Sequence, residues 1–287
     1  MIYQKKHRLW CAILVVAVLL SSVAFVSYHG EWWFPLLERL RIHTDLPLEE
    51  YNDYTRTRQW TLEELKTVKG VTVNDTMLLI NESHALPKDY QPQLTSYNGA
   101  QMHPKMVNAY VALRDAVLQK TGERIYVAAD YRTAEEQAQI LDSVEDGTAA
   151  AVGCSEHEAG LALDVYVPYF SGMNFLRSRA GRLVNRICAD YGFIIRYPVG
   201  KQGVTGIEYE PWHLRYVGAP HAKLMMDSGL TYEEYLVSLE RNVWYRTENY
   251  LIARCDADQL VLPDGWMYCE ISPDNMGSYL VTLTLTA

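Results

Sequence analysis

Ser155-Glu156-His157-Glu158-Ala159-Gly160-Leu161-Ala162-Leu163-Asp164 and, further along the chain, Glu210-Pro211-Trp212-His213 are the two stretches on which the reading of this sequence turns. In the first, Leu161, Leu163 and Val165 alternate with Ala162, Asp164 and Tyr166, the period-two pattern of a half-buried strand, so Asp164 faces away from the leucines. His157, Asp164 and His213 offer two imidazoles and one carboxylate, the three ligands that a catalytic zinc needs while its fourth position stays open to water. Zinc lowers the pKa of bound water from about 15.7 to roughly 7, and a neighbouring carboxylate then takes the proton as an amide carbonyl is attacked. Glu210 is the candidate base. Pro211 biases it to an extended conformation, so the pair is not the helical His-Glu-x-x-His arrangement, and a turn must aim Glu210 and His213 at one cavity. Taken singly, each of these residues reads as an ordinary hydrogen-bonded polar group. Their combination, with small Gly160 and Ala162 between the ligands, is what points to a metal.

The segments around these stretches set the fold class. From Pro104 to Lys120 the apolar residues recur at helical spacing, with proline in the first turn and Gly122 just past the end. Arg124 to Ala129 reads as a strand, and Thr133-Ala-Glu-Glu136 opens a second helix through a capping box, which leaves Asp130-Tyr131-Arg132 at a strand-to-helix junction. A third helix is expected over 174–191, followed by strands at Phe193-Ile194-Ile195 and from Trp212 to Val217. Helices and strands mix without a repeating strand-helix-strand period, which favours α+β over a doubly wound sheet.

Of 287 residues, 49% are hydrophobic and 21% charged, so the bulk of the chain folds into a globule. The 26 Lys and Arg against 35 Asp and Glu leave no electrostatic footprint for nucleic acid. The first thirty residues hold Lys5, Lys6 and Arg8 and no acid. Leu9 to Ser27 then runs nineteen residues without a charge, close to the ~20 that cross a bilayer as a helix. Basic residues before the run keep the N-terminus cytoplasmic, and Trp32, Trp33 and Phe34 suit the opposite interface. The organisation expected is a cytoplasmic tip and transmembrane signal anchor over 1–30, a spacer over 31–75, a zinc domain over 76–236 and a small β-rich extension over 237–287. A cleavable signal peptide ending near Ser22-Val23-Ala24 is the rival to the anchor. The cysteines form no disulfide framework, although Cys255 and Cys269 are close enough in sequence to pair.

The two stretches resemble the signatures Ser-x-His-x-x-Gly-x-Ala-x-Asp and Glu-x-x-His of the VanY-type D-alanyl-D-alanine carboxypeptidases, within the wider lysostaphin, D-Ala-D-Ala metallopeptidase and hedgehog-like fold. The resemblance extends to Leu79-Ile80-Asn81, Leu86-Pro87-x-x-Tyr90, Tyr131-Arg132 with Gln137, and Trp212-His213-x-Arg215-Tyr216-Val217-Gly218. It implies one Zn2+ held by His157, Asp164 and His213, Glu210 as base, and Arg132 stabilising the developing oxyanion. It also implies substrate contacts at Ser155, Gln137, Tyr131 and Trp212. A fixed cation beside the carbonyl fits the chemistry, because it is worth more in a water-poor cleft than in bulk. Where the family has Ser-Gly-Tyr-Arg this chain has Ala129-Asp130-Tyr131-Arg132, an acid beside the arginine. Cys154 stands as a rival fourth ligand that would close the site. The function implied is removal of the terminal D-alanine from peptidoglycan stem peptides outside a bacterial membrane, with glycopeptide resistance as its consequence and no obligate protein partner. A D,D-dipeptidase, an L,D-carboxypeptidase and a non-catalytic zinc-stabilised wall-binding module are the alternatives.

Overall fold

The computed structural model describes residues 2–53, 56–143 and 149–285, with the side chains of residues 2–12 and 27 excepted. The centre of the α+β fold is an antiparallel four-stranded sheet whose strands, in spatial order, are Tyr126–Ala129, Ala162–Tyr166, His213–Tyr216 and Phe193–Ile195. Register decides what each face does. Leu163 lies opposite Leu214, and both are buried against the helices Pro104–Thr121 and Arg179–Ile187 through Met106, Tyr110, Leu113, Val117 and Val184. One residue on, Asp164 lies opposite His213, and this pair emerges on the other face. The alternation read from the sequence therefore separates core from chemistry, as the two-residue period of a strand requires.

The predicted capping box at Thr133 forms, and a second opens the helix Leu62–Lys66 at Thr61. The Thr61 hydroxyl accepts from the Glu64 amide, and the Glu136 amide donates to Thr133, whose own amide donates to the Glu136 carboxylate. The helix expected over 174–191 differs: it breaks into a 3-10 segment at Gly172–Arg177, an α-helix at Arg179–Ile187 and a second 3-10 turn at Cys188–Tyr191. Ser178 causes the first break. Its backbone is extended, and its hydroxyl accepts from the Gly181 amide at 2.8 Å, which starts a new helix.

The segment 31–75, expected as a spacer, is built into the body of the protein over much of its length. A six-stranded sheet runs Glu49–Glu50, Trp244–Arg246, Tyr250–Asp256, Ser278–Leu285, Trp266–Pro273 and Val71–Val73, so residues from the presumed spacer form both its edges. A further strand, Thr57–Trp60, pairs with Leu260–Pro263. Leu65 is fully buried in the core of this sheet. At two and three residues these edge strands are too short for a hydropathy period to reveal; they satisfy the peptide groups of longer strands. The C-terminal strands are thus no isolated appendage, since Tyr245, Ile252 and Leu280 share one hydrophobic cluster with Met77, Ile194, Val217 and Tyr232. Cys255 and Cys269 are buried free thiols.

Ile2–Tyr28 is helical and meets a second helix, Gly30–Arg39, at a bend of 75°. Among the described residues no single helix is long and apolar enough to cross a membrane, though Ile13–Val26 and Gly30–Arg39 together reach that length and composition. Lys5, Lys6, Arg8 and the beginning of the apolar run lie outside the described side chains.

His221 joins the two halves. It is buried, with its ring nitrogens 2.8 Å from the Tyr235 hydroxyl and 2.8 Å from the Thr282 hydroxyl. Burial lowers its pKa from 6.5 to about 3. The unfolded chain therefore binds a proton that the folded chain refuses between these pH values, so its contribution to stability is full above 6.5 and lost as pH falls toward 3. His221→Gln should flatten the pH dependence of urea unfolding in that window by up to ~1.4 kcal/mol per pH unit. Identical slopes for the two proteins would remove His221 from the account.

Candidate metal centre and active site

Cross-strand pairing brings the first two donors together: His213 Nδ1 lies 3.1 Å from Asp164 Oδ1. The third arrives on the 3-10 turn Glu156–Ala159, which places His157 Nε2 3.5 Å from the same oxygen. Gly160 ends that turn at φ +66°, a backbone conformation that favours glycine, and packs against the Leu94 side chain. Behind the turn, Leu86 and Tyr90 pack on Leu78, Ile80, Ala159 and Leu161. Tyr90 also donates to Asp75, whose other oxygen is 3.1 Å from His103 Nε2.

The residues fit a zinc ion. The three ligand atoms lie within 4.8 Å of one another. Donors around a tetrahedral zinc with bonds near 2.1 Å stand roughly 3.4 Å apart, and the two measured separations from Asp164 bracket that value. Asp164 Oδ1 is buried and makes no hydrogen bond, although two imidazole nitrogens face it. The ring tautomers agree. His157 Nδ1 lies 2.7 Å from the Asp130 carbonyl and must donate to it, which leaves Nε2 with a lone pair toward Asp164. His213 Nε2 lies 3.4 Å from a Glu156 carboxylate oxygen, leaving Nδ1 as the inward atom. Burial alone would lower the pKa of His213, but Asp164 and Glu156 override it and hold it at about 10. The same field would hold a cation in place of that proton.

Glu210 follows the Tyr197 loop, to whose carbonyl its amide donates. Its carboxylate is 3.5 Å from His213 Nδ1, beside the point that the three donors share. Burial pushes its pKa up to about 7, with His213 pulling down and Asp164 pushing further up. Arg132 also bears on Glu210 electrostatically.

The other expected site residues divide. Tyr131 and Arg132 line one cleft with Leu86 and Tyr90, while Trp212 and Glu210 line a second of about 790 Å³, within the ~300–1,000 Å³ of ligand sites. Gln137, expected to touch substrate, is instead 1% exposed, and its amide links Arg132 at 2.6 Å to the Ala150 carbonyl at 2.6 Å. It positions Arg132. Ser155 is likewise buried, at the head of the ligand turn, where its amide and that of Gly153 donate to Glu158. Asp130 accepts from the Gln101 amide, so its charge ties the Asp130-Tyr131-Arg132 junction to the hairpin formed by Thr95–Tyr97 and Ala100–Met102. Cys154 is a buried thiol outside the ligand cluster, its pKa raised by burial.

Sequence reasoning missed Glu156. It is fully buried, 2.7 Å from Arg196 Nε and 2.8 Å from Arg215 Nη1. Burial would raise its pKa, but the two guanidinium groups hold it well below the carboxylate range. Arg196 continues to Glu233, and Arg215 donates to the carbonyls of Thr76 and Leu78. The only sequence signal is an acid next to a ligand histidine; nothing local names its distant arginines.

The comparisons with known proteins follow this geometry. The VanY D-alanyl-D-alanine carboxypeptidase family profile matches residues 99–219, which take in all three donors, Glu210 and Arg132. The bifunctional D-Ala-D-Ala dipeptidase and D-Ala-D-Ala carboxypeptidase VanXYC of Enterococcus gallinarum is 36% identical over 177 residues, covering 56% of this chain and 93% of that protein. The vancomycin-resistance D,D-dipeptidase VanXYg, solved in complex with a D-Ala-D-Ala phosphinate analogue, superposes with a TM-score of 0.62 at 27% identity over 80% of this chain and 98% of its own. The D,D-pentapeptidase VanY from a VanB-type resistance cassette, solved in complex with Zn(II), gives 0.51 at 30% identity over 56% and 98%. An α+β peptidase fold with a two-histidine, one-aspartate centre is the class. The chain belongs to the VanY family of D-alanyl-D-alanine carboxypeptidases.

Replacing Glu156 with Ala would leave Arg196 and Arg215 buried beside an empty space, and should cost ~3–5 kcal/mol of folding stability. Chemical denaturation measures it. A loss under ~1 kcal/mol would show that the buried charges are not mutually dependent.

Proposed function

We propose that this chain is a zinc-dependent D,D-carboxypeptidase that removes the terminal D-alanine from peptidoglycan stem peptides ending in D-Ala-D-Ala. The observation that carries the reading is the convergence of His157, Asp164 and His213 on one point with the Glu210 carboxylate beside it. A structural zinc needs neither a raised carboxyl nor a positioned arginine, so Glu210 and Arg132 favour turnover over a passive wall-binding module. A zinc ion there would supply Lewis acidity toward the scissile carbonyl and acidify a water molecule.

The protein's own part follows from its side chains. Glu210, partly desolvated and beside the point the three donors share, takes the proton of the attacking water and returns one to the departing D-alanine amine as the C–N bond breaks. Arg132, held by Gln137, supplies positive charge where the carbonyl oxygen becomes negative. The aromatic Trp212 beside Glu210 forms part of the wall of the cleft.

The proposed location is a single-pass cell-membrane protein, N-terminus inside and catalytic domain outside, anchored through residues 9–27. Support comes from the charge-free run, the basic residues before it and the continuous helix that it forms. Tethering at the face where precursors are displayed raises effective concentration. Trimming them lowers the affinity of vancomycin-type antibiotics for the shortened ends, hence a resistance role. A D,D-dipeptidase is the second reading, favoured by the likeness to VanXYC and VanXYg; free dipeptide is mostly cytosolic, which sets it against an external domain.

Mass spectrometry of a pentapeptide stem and of free D-Ala-D-Ala, each incubated with the protein with and without a chelator, separates these readings. The expected result is loss of one alanine from the pentapeptide, abolished by chelation and restored by zinc. Glu210→Ala should cut turnover by roughly 10² to 10⁴ with zinc still bound, and His157→Ala should lose the metal. Wild-type turnover in Glu210→Ala would remove it as base, and a zinc-loaded His157→Ala would overturn the ligand set.

A further inference from the structure

The helix Gly30–Arg39 carries a second apolar face, turned outward. Trp32, Leu36 and Leu40, one turn apart, form an outward row 64%, 57% and 69% exposed, with Leu37 and Ile42 also exposed beside it. Both acids of the helix turn the other way. Glu31 lies 3.1 Å from His29 Nδ1 and 3.8 Å from Arg177 Nε, and Glu38 lies 3.6 Å from Arg41. In water the apolar face of a helix packs inward and its charges face solvent; here the outward arc holds no acid, and exposed Arg39 stands at its edge.

This helix is also fixed to the catalytic body. Phe34 is fully buried. A Cβ on Gly30 would meet the Leu176 carbonyl at 2.0 Å, so the helix start lies directly on the Gly172–Arg177 turn. Arg182 and Arg186 sit over the rings of Trp33 and Phe34. Of the three aromatic residues expected at a membrane interface, Phe34 belongs to the protein core and Trp32 to the outer row.

We infer that the outward row of Gly30–Arg39, with Ile42, is a second membrane-contact surface, lying in the interface of a lipid bilayer and holding the catalytic domain against it at one orientation. The inference rests on the anchored reading above. Two observations commit it to lipid. The row continues from Ile13–Val26, whose apolar side chains are exposed all along, and the 75° bend lays Gly30–Arg39 nearly flat when the first helix stands across the bilayer. Arg39 also lines the cleft that contains Glu210 and Trp212, so this cleft opens beside the bilayer-facing helix. A stem peptide carried on a membrane lipid would then meet the site at its own height.

The test uses the full chain in phosphatidylcholine vesicles, with Trp10→Phe to silence the tryptophan of the apolar run. Lipids brominated on the upper acyl chain should quench part of the emission, that part should vanish on adding Trp32→Phe, and aqueous iodide should fail to reach it. Trp32→Ser/Leu36→Ser/Leu40→Ser should slow turnover of a lipid-tethered stem peptide roughly tenfold and leave a free pentapeptide unaffected. A chain that withstands an alkaline carbonate wash of the vesicles while iodide, not bromolipid, quenches Trp32 would overturn the inference and leave the anchor intact. Loss of the chain in that wash would sink the anchored reading itself. Leu36→Cys cross-linking between copies at high yield would assign the row to self-association and overturn the lipid contact.

Discussion

Asp164 and His213 face each other across two antiparallel strands, and most of the protein serves to hold that pair in register. A slip of one residue would send Asp164 into the hydrophobic core and Leu163 into the site, an exchange that Leu163 and Leu214, both fully buried, forbid. The core therefore does more than stabilise. It selects which side chains meet, and His157 needs only a short glycine-terminated turn to complete the set.

Charges around the site fall into two groups. Glu156 and Glu233 face Arg196 and Arg215 in a buried set that balances itself, with the remaining guanidinium donors given to backbone carbonyls. Such a set adds little net stability but is costly to break, so it acts as a rigid joint between the ligand turn, the His213 strand and the helix Tyr232–Ser238. It also gives His213 Nε2 a fixed acceptor, which settles the ring's orientation before any metal binds.

What the sequence disclosed and what it withheld follow from range. The helix at 104–121 and the capping box at Thr133 were legible because spacing and local hydrogen bonding decide them, and the strand alternation showed that Asp164 leaves the core, which lets it meet His157 and His213. Ser178, Gln137 and Glu156 were not, because their roles depend on partners brought close only by folding. The strands within 31–75 were hidden for a related reason: edge strands of two to four residues pair through peptide groups, and side-chain patterns say little about where peptide groups go. The four-stranded sheet was legible strand by strand, while the six-stranded sheet, with edges from one end of the chain and interior from the other, was not.

Outside the buried set, Asp164 and Glu210 face the shared point with Arg132 as the nearby cation, an excess of negative charge in a partly desolvated place. Without a metal this field is met by protons, which is why His213 holds one so firmly and Glu210 is reluctant to lose its own. A divalent cation held by His157, Asp164 and His213 would offset that excess. Glu210 beside it would then ionise more readily, which is what the base role proposed for it requires. Asp164 and Glu210 are thus held close despite their like charge, and the rigid joint behind them keeps the donors from spreading apart to relieve it.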